Sequence, residues 1–468
     1  MSKTSESAGN GSGQAWSVVV RGQEAVLSGL AQGECDGILP DEWLEPDNLV
    51  QAALEEGFLD WFDDFPDRRR RRSIDKRLFC RVLLCGRLVD SPSLADTGRV
   101  IFHSATLLDK LGFNFRMIRE GGARTGDQRP FDEEALEDYF AKLTASDYLT
   151  HQIEVSGKLR ERPALRGQVW LLDCRDSKVP NGHHQEERHW KAAVLSVCAE
   201  GGPQPMVWSF GPAPASGDLS LGRPLLAAAR QAWEEGAIRW LIMDAGFVDG
   251  AWLRELKEQG IDSVIRLREG MDNWEAAVRA GQRAPQGAWQ QVALPKRPKG
   301  CELPLKRELL GLPDQPGWES LELPVALCLV RDTYADKVCY WLLASTQPEQ
   351  SAAQIYELFR LRWGIEESFM ALARYHGLNA ISSCRDGLAM AIIHFSLLAH
   401  TLRYLCRISD QEAVSRRRPR TKYLVVYWAG YYALLYASEV MAQIFDNWPA
   451  WQHRREQVLE ALRYCEGR

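Results

Sequence analysis

Apolar positions along this 468-residue chain follow three successive regimes of spacing. Between about residues 40 and 155 they recur every three to four positions, in 49–62, 74–89 and 131–146, with Pro, Gly and Asp breaking the pattern. That spacing predicts amphipathic helices. Short apolar runs then take over at 168–172 (QVWLL), 192–198 (AAVLSVC), 206–210 (MVWSF), 238–243 (IRWLIM) and 263–267 (SVIRL). They read as buried strands, with helices at 225–233 and 252–259. Strands alternating with helices predict an α/β core with partly parallel strands. From about 270 to 350 the chain turns Pro/Gly-rich, with strand-like pieces at 326–331 and 338–343, which suggests a β-rich insertion. Helical spacing returns at 353–375, 387–406 and 423–445, followed by a last amphipathic stretch. Residues 1–35 are Gly/Ser-rich and read as a disordered arm. The expected organisation is therefore an arm over 1–35, a helical region over 36–160, an α/β core over 161–405 and a helical region over 406–468. No internal repeat interrupts this.

Composition adds bounds. A chain of this length needs two to four structural units. Its 45% hydrophobic and 26% charged residues are ordinary for a globular protein. No run approaches 18 apolar residues and the start lacks a signal-peptide layout, so no membrane association and a cytoplasmic location are expected. The 11 cysteines are odd in number, scattered and without a C-x-x-C pair, so reduced thiols rather than a disulfide framework or a zinc site are expected. The net charge of -6 weighs against a surface that binds nucleic acid throughout. The basic residues are clustered, however. Positions 68–72 are five consecutive arginines, and Arg416, Arg417, Arg418, Arg420 and Lys422 form a second run. Each reads as solvated surface or as a local phosphate-binding patch.

Three carboxylates carry the candidate chemistry. Asp173 and Asp244 each follow an apolar strand, at the sheet edge where α/β proteins gather ligands. The alternative for either is a helix cap or turn residue. Glu366 lies in FRLRWGIEESF (359–369), where Phe359, Arg362, Glu366 and Phe369 share one helical face. The alternative there is an amphipathic helix with an Arg362–Glu366 pair. Asp176, Asp249 and Glu367 are nearby competitors. His183, His184 and His189 lack a metal-ligand spacing and read as loop residues. No phosphate-binding loop and no G-x-S-x-G motif is present.

The segment 340–369, YWLLASTQPEQSAAQIYELFRLRWGIEESF, resembles the signature helix of DDE transposases from bacterial insertion sequences. The closest type has a Y-x2-R-x3-E-x6-K signature and belongs to the Tn-five-like superfamily. VWLLDCRDSKVP around Asp173 and WLIMDAGFVDGAWLRELKEQGIDSVIRLREG around Asp244 resemble its first and second catalytic strands. The resemblance spans roughly 165–405. It implies an RNase H-like catalytic core with a β-rich insertion, flanked by helical regions, of which 36–160 would bind DNA. It assigns Asp173, Asp244 and Glu366 as ligands of Mg²⁺, expected as two ions with Mn²⁺ as a substitute. It assigns Arg362 to a phosphate near the cut, and Trp341 and Trp363 to DNA, Trp341 by stacking on a flipped base; the alternative for either tryptophan is a place in the core. Arg266, Arg268 and Arg374 are further candidate DNA contacts. The signature departs at two places: Phe359 stands at the usual Tyr, and Ala373 at the usual Lys, with Arg374 beside it.

The resemblance thus implies cut-and-paste transposition: cleavage at element ends and joining to target DNA, by a homodimer on double-stranded DNA, associated with the nucleoid when bound. Two rivals share the fold. One is a catalytically impaired, transposase-derived DNA-binding protein, motivated by Phe359 and Ala373. The other is an RNase H-like nuclease without strand transfer.

Overall fold

In a computed structural model the chain forms two compact units, one of Met1–Asp63, Arg69–Leu136 and Cys406–Arg468, the other of Asp64–Arg68 and Glu137–Leu405. The structure describes residues 133–179, 188–200, 202–213, 215–294, 303–318, 320–375 and 385–406. It also describes 16–21, 37–41, 52–70, 74–89, 422–428 and isolated positions within 50–113 and 378–383. In the first unit, strands Trp16–Arg21 and Gly37–Asp41 both pair antiparallel with Lys422–Trp428. Strand 16–21 falls in the expected arm, and strand 422–428 begins where a helix was expected. WSVVVR and KYLVVYW are rich in β-branched and aromatic residues, and that propensity decides the local state. The expected helix at 74–89 forms as Lys76–Leu88, its start capped by the Asp75 carboxylate, which accepts from Arg77 N. The expected helix at 49–62 breaks at Gly57, whose φ of 77° only glycine adopts freely, and continues as 3₁₀ turn Phe58–Phe62. Of the basic runs, Arg71, Arg72 and 416–420 lie outside the described residues.

The second unit is built on a nine-stranded mixed sheet. Its strands are β1 (Val169–Val179), β2 (Arg188–Ala199), β3 (Gly202–Ala213), β4 (Trp240–Met243), β5 (Asp262–Arg266), β6 (Gln290–Val292), β7 (Lys306–Gln315), β8 (Val325–Thr333) and β9 (Val338–Ser345). Their spatial order is β3-β2-β1-β4-β5-β9-β8-β7-β6. Only the β1–β4 and β4–β5 pairs are parallel. The 270–350 segment contributes a helix and then four strands that extend the same sheet, because β9 pairs antiparallel with β5. The helices are α1 (Ala145–Arg160), α2 (Asp218–Ala232), α3 (Gly250–Glu258), α4 (Asp272–Arg283), α5 (Ala352–Arg360), α6 (Trp363–Tyr375) and α7 (Asp386–Leu405). Trp208 and Ser209 show that both sheet faces are covered. The Trp208 indole bonds His394 on α7, and the Ser209 hydroxyl bonds the Leu221 carbonyl on α2. Consecutive strand residues point to opposite faces, so α7 and α2 flank the sheet. Arg68 is committed within this unit: its guanidinium forks onto Asp147, at 2.8 and 2.7 Å.

The 20-residue α7 helix is long and apolar enough for a membrane span, with an 18-residue window of mean hydropathy 1.4, yet 83% of that window is buried inside the protein. It packs on β3, α1 and α6 as a core helix. Its His394 is fully buried and bridges two neighbours. Trp208 Nε1 donates to His394 Nδ1 at 3.0 Å, so the ring proton is on Nε2, which faces His151 Nδ1 at 3.1 Å. This chain works only with a neutral His394, and burial together with His151 lowers its pKa well below 6.5. The stabilisation is complete above pH 6.5 and is lost progressively as pH falls below it, because the unfolded chain then takes up a proton that the folded one refuses. His394→Leu leaves the Trp208 indole N–H without its acceptor in the core and should cost about 1–3 kcal/mol in urea unfolding. It should also flatten the acid limb of the stability profile. A variant as stable as wild type would dismiss this role.

Candidate active site

The site follows from strand register. Leu172 on β1 stands level with Met243 on β4, in the parallel pair. The residues one step on, Asp173 and Asp244, are therefore neighbours at the edge where β4 ends. Asp173 is not at a strand end, as the apolar run suggested. β1 continues to Val179 because its other neighbour, β2, pairs with it antiparallel along that length. Leu172 faces α2, close to Gly222, so Asp173 points to the opposite face. There it meets α6, and Arg175, two residues on, lies over the Phe369 ring of α6 at 5.6 Å. Asp244 opens a 3₁₀ turn (Ala245–Phe247), but its side chain makes no capping bond. The cap reading belongs instead to Asp249, which accepts from Trp252 N at 2.7 Å at the start of α3.

Glu366 joins the two aspartates through Arg362. Arg362 Nη1 donates to Asp173 Oδ2 at 3.0 Å and lies 3.9 Å from Asp244 Oδ2, while Nη2 donates to Glu366 Oε1 at 2.7 Å. One guanidinium thus gathers all three carboxylates. The Asp173 side chain is only 13% exposed, against 38% for Asp244 and 43% for Glu366. Burial pushes the Asp173 pKa up to about 6, with Asp244 and Glu366 adding to the rise and Arg362 opposing it. Behind the guanidinium, the Phe359 ring lies 5.5 Å from Arg362 Cζ, a cation–π contact.

The signature segment is two helices, not the single helix its periodicity suggests. α5 is capped by Ser351, whose capping box with Gln354 closes both ways, and ends at Arg360. Leu361 and Arg362 form a turn, and α6 begins at Trp363. Two contacts with Pro203 at the start of β3 fix α6. Ser368 Oγ donates to the Pro203 carbonyl at 3.1 Å, and a Cβ on Gly364 would come within 2.6 Å of Pro203 Cδ. Gly364→Ala gains helix propensity of about 1 kcal/mol, yet the stiff proline ring cannot yield cheaply. We expect a net loss of about 1–3 kcal/mol in thermal unfolding, with weaker divalent-ion binding as Glu366 shifts. Unchanged values on both counts would show that the close approach is dispensable.

A family model described as the transposase DDE domain matches residues 168–402, which takes in the sheet, Arg362 and all three carboxylates. The chain belongs to the DDE transposase family. No curated protein matches it. Membership makes this a transposase, suggests a metal-dependent enzyme that cleaves DNA, and implies DNA as its substrate.

Trp341 on β9 is half-buried. Its Nε1 donates to Asp332 at 3.1 Å, and its ring stands 6.2 and 6.0 Å from those of Tyr356 and Phe359. Trp363 is 53% exposed at the first position of α6, so a core role is excluded for it. Arg266 is exposed at the end of β5. Arg268 lies past that strand and donates to the carbonyls of Ala245 and Gly246, at 2.9 and 3.5 Å. It thereby braces the turn that follows Asp244. The Arg374 side chain, His183 and His184 lie outside the described residues, and His189 sits in β2 rather than a loop. Asp176 and Glu367 are exposed.

Asp218 on α2 is a neighbour the sequence does not signal. It bonds Lys191 at 2.7 Å, and a Cβ on Gly246 would run into its carboxylate. Nothing in GDLS distinguishes it from an ordinary residue in the first turn of a helix.

Proposed function

We propose that this DDE transposase works by cut-and-paste transposition, cleaving DNA at the ends of its element and joining the 3′-hydroxyls to target DNA. The observation that carries the reading is the convergence of Asp173, Asp244 and Glu366 on one guanidinium at the sheet edge. Strand order supports an RNase H-like core: β1 is central, β2 and β3 lie antiparallel on one side, and β4 and β5 run parallel to β1 on the other.

DDE transposases generally use divalent metal ions. The donor set suits Mg²⁺ or Mn²⁺, being three hard carboxylates with two of the side chains open to solvent. Asp173, Asp244 and Glu366 would hold the metal, expected as two ions. When bound, such ions activate a water or a 3′-hydroxyl and neutralise charge on the leaving oxygen. The chain's own residues supply position. Gly364 and Ser368 seat α6 against Pro203 and so aim Glu366. Arg268 holds the turn after Asp244. Arg362 offers a planar fork to a backbone phosphate of the cut strand. Trp363 and Arg266 present exposed contacts for DNA, and the open side of Trp341 can receive a base. The 36–160 region would recognise element ends, and 406–468 would support a homodimer that pairs them.

The test is Mg²⁺- or Mn²⁺-dependent cleavage and joining of DNA carrying the flanking inverted repeats, with wild type beside Glu366→Gln. Wild type should cut and join. The mutant should lose at least about 10³-fold in rate, since metal-centred stabilisation is worth several kcal/mol, while still binding the ends. Cutting without joined product would leave a nuclease. Tight end binding with no cleavage by either protein would leave a DNA-binding derivative and turn attention to Phe359 and Ala373.

A further inference from the structure

Arg362 stands where a cation would stand. Its Nη1 and Nη2 reach Asp173 and Glu366 at 3.0 and 2.7 Å, and Nη1 is 3.9 Å from Asp244. Among the described residues no three acidic, His or Cys groups are placed to hold a metal ion together. The three that the chemistry calls for converge on a guanidinium instead. It is a pure donor that does not deprotonate in proteins, so it cannot itself ligate a metal ion, and it occupies Asp173 Oδ2 and Glu366 Oε1. One positive charge against three carboxylates also leaves the pocket negative, so a divalent ion gains more there than the guanidinium does.

The seat of Arg362 also allows departure. The residue lies in the two-residue turn between α5 and α6. Its Nε is buried without a hydrogen-bond partner, so withdrawal breaks no bond at that atom. The Phe359 ring backs its guanidinium.

Resting on the reading of Asp173, Asp244 and Glu366 as metal ligands, we propose that Arg362 is the resident counter-ion of the carboxylate triad and competes with the divalent ion for it. The metal-free site is held together by the guanidinium. Loading requires Arg362 to swing out, and this frees its fork on the side where the cut strand arrives. Arg362 therefore sets the cation affinity of the DNA-free protein as well as meeting phosphate.

Two measurements on the 468-residue chain test this. In Mn²⁺ titration calorimetry without DNA, Arg362→Gln should bind about tenfold or more tightly than wild type. Adding Asp244→Asn to that variant should abolish the gain. In wild type, Mn²⁺ should raise the rate at which phenylglyoxal modifies Arg362, read by peptide mass spectrometry, because the guanidinium leaves its carboxylates. Unchanged or weaker Mn²⁺ binding by Arg362→Gln overturns the competition, as does Arg362 reactivity indifferent to Mn²⁺. Either result can coincide with cleavage that depends on Glu366, and then only this inference fails. Tighter Mn²⁺ binding by Arg362→Gln in a protein that never cuts DNA leaves the competition standing and removes the activity.

Discussion

Replacing Asp173 by Asn should abolish metal-dependent DNA cleavage and, in the same molecule, stabilise the metal-free fold. The two effects have one cause. Asp173 is the deepest of the three carboxylates, with a side chain 13% exposed, and burial raises its pKa to about 6. At pH 7 the folded protein holds it charged at a cost. A rise from the ordinary 3.8 to about 6 corresponds to about 3 kcal/mol between charged and neutral forms. Asn is neutral, and its amide oxygen can still accept from Arg362, so up to that amount returns as stability. Loss of a hard ligand should lower cleavage by at least about 10³-fold. The pH signature is specific. The folded chain holds the Asp173 proton more tightly than the unfolded chain does. This residue's contribution therefore improves as pH falls from about 6 toward 3.8, and is lost as pH rises through that window. His394 acts in the opposite direction in acid. The difference between wild type and Asp173→Asn in urea unfolding at pH 5 and pH 7, with a chelator present, isolates the aspartate. A mutant less stable than wild type at pH 7 would show that Arg362 outweighs burial at this site.

This opposition between stability and chemistry bears on what the sequence could reveal. Asp244 was readable as a strand-ending aspartate because a run such as IRWLIM must be buried, and the first polar residue after it emerges at the sheet edge. Continuation of β1 beyond Asp173 was not readable, since DCRDSKV owes its strand state to pairing with β2 over 188–199 rather than to its own apolar pattern. The break at Leu361 and Arg362 was equally hidden. Apolar spacing runs through it, and it depends on Gly364 meeting Pro203, more than 150 residues earlier. Arg362 could be read as a phosphate contact or as a partner for Glu366. Only the tertiary structure adds Asp173, and with it a role toward both. The departure at Phe359 gains a physical reading too. An apolar ring backs the guanidinium where a phenol is usual, and the hydroxyl of Tyr356, one turn earlier, accepts from Arg307 Nη1 at 3.0 Å.

That hydroxyl belongs to a buried network whose disruption should produce the largest stability loss in the second unit. Arg307 on β7 forks onto Asp332 on β8, with Nε and Nη2 at 2.6 and 2.7 Å from the two carboxylate oxygens. Residue exposures are 9% and 4%. Trp341 Nε1 donates to the same carboxylate, and the Arg307 guanidinium stands 5.3 Å from the Trp341 ring. Burial disfavours the charge on Arg307, but the bonds to Asp332 and Tyr356 outweigh it and hold its pKa above the ordinary value. Asp332→Leu removes the counter-charge and leaves a guanidinium sealed between strands, which should cost about 3–5 kcal/mol. An exposed pair such as Arg254–Glu322 makes the control, since its loss should cost no more than about 1 kcal/mol. Adding Arg307→Met to Asp332→Leu should recover most of the loss, because an apolar pair of similar volume requires no compensating charge. Unfolding midpoints of the two single mutants, the double mutant and Glu322→Ala decide the matter. A double mutant as unstable as Asp332→Leu would mean that packing around Trp341, not the stranded charge, carries the energy. Trp341 abuts Phe359, and Phe359 backs Arg362. Asp332→Leu should therefore also loosen the site and reduce cleavage more than its effect on end binding, a split that Glu322→Ala should not show.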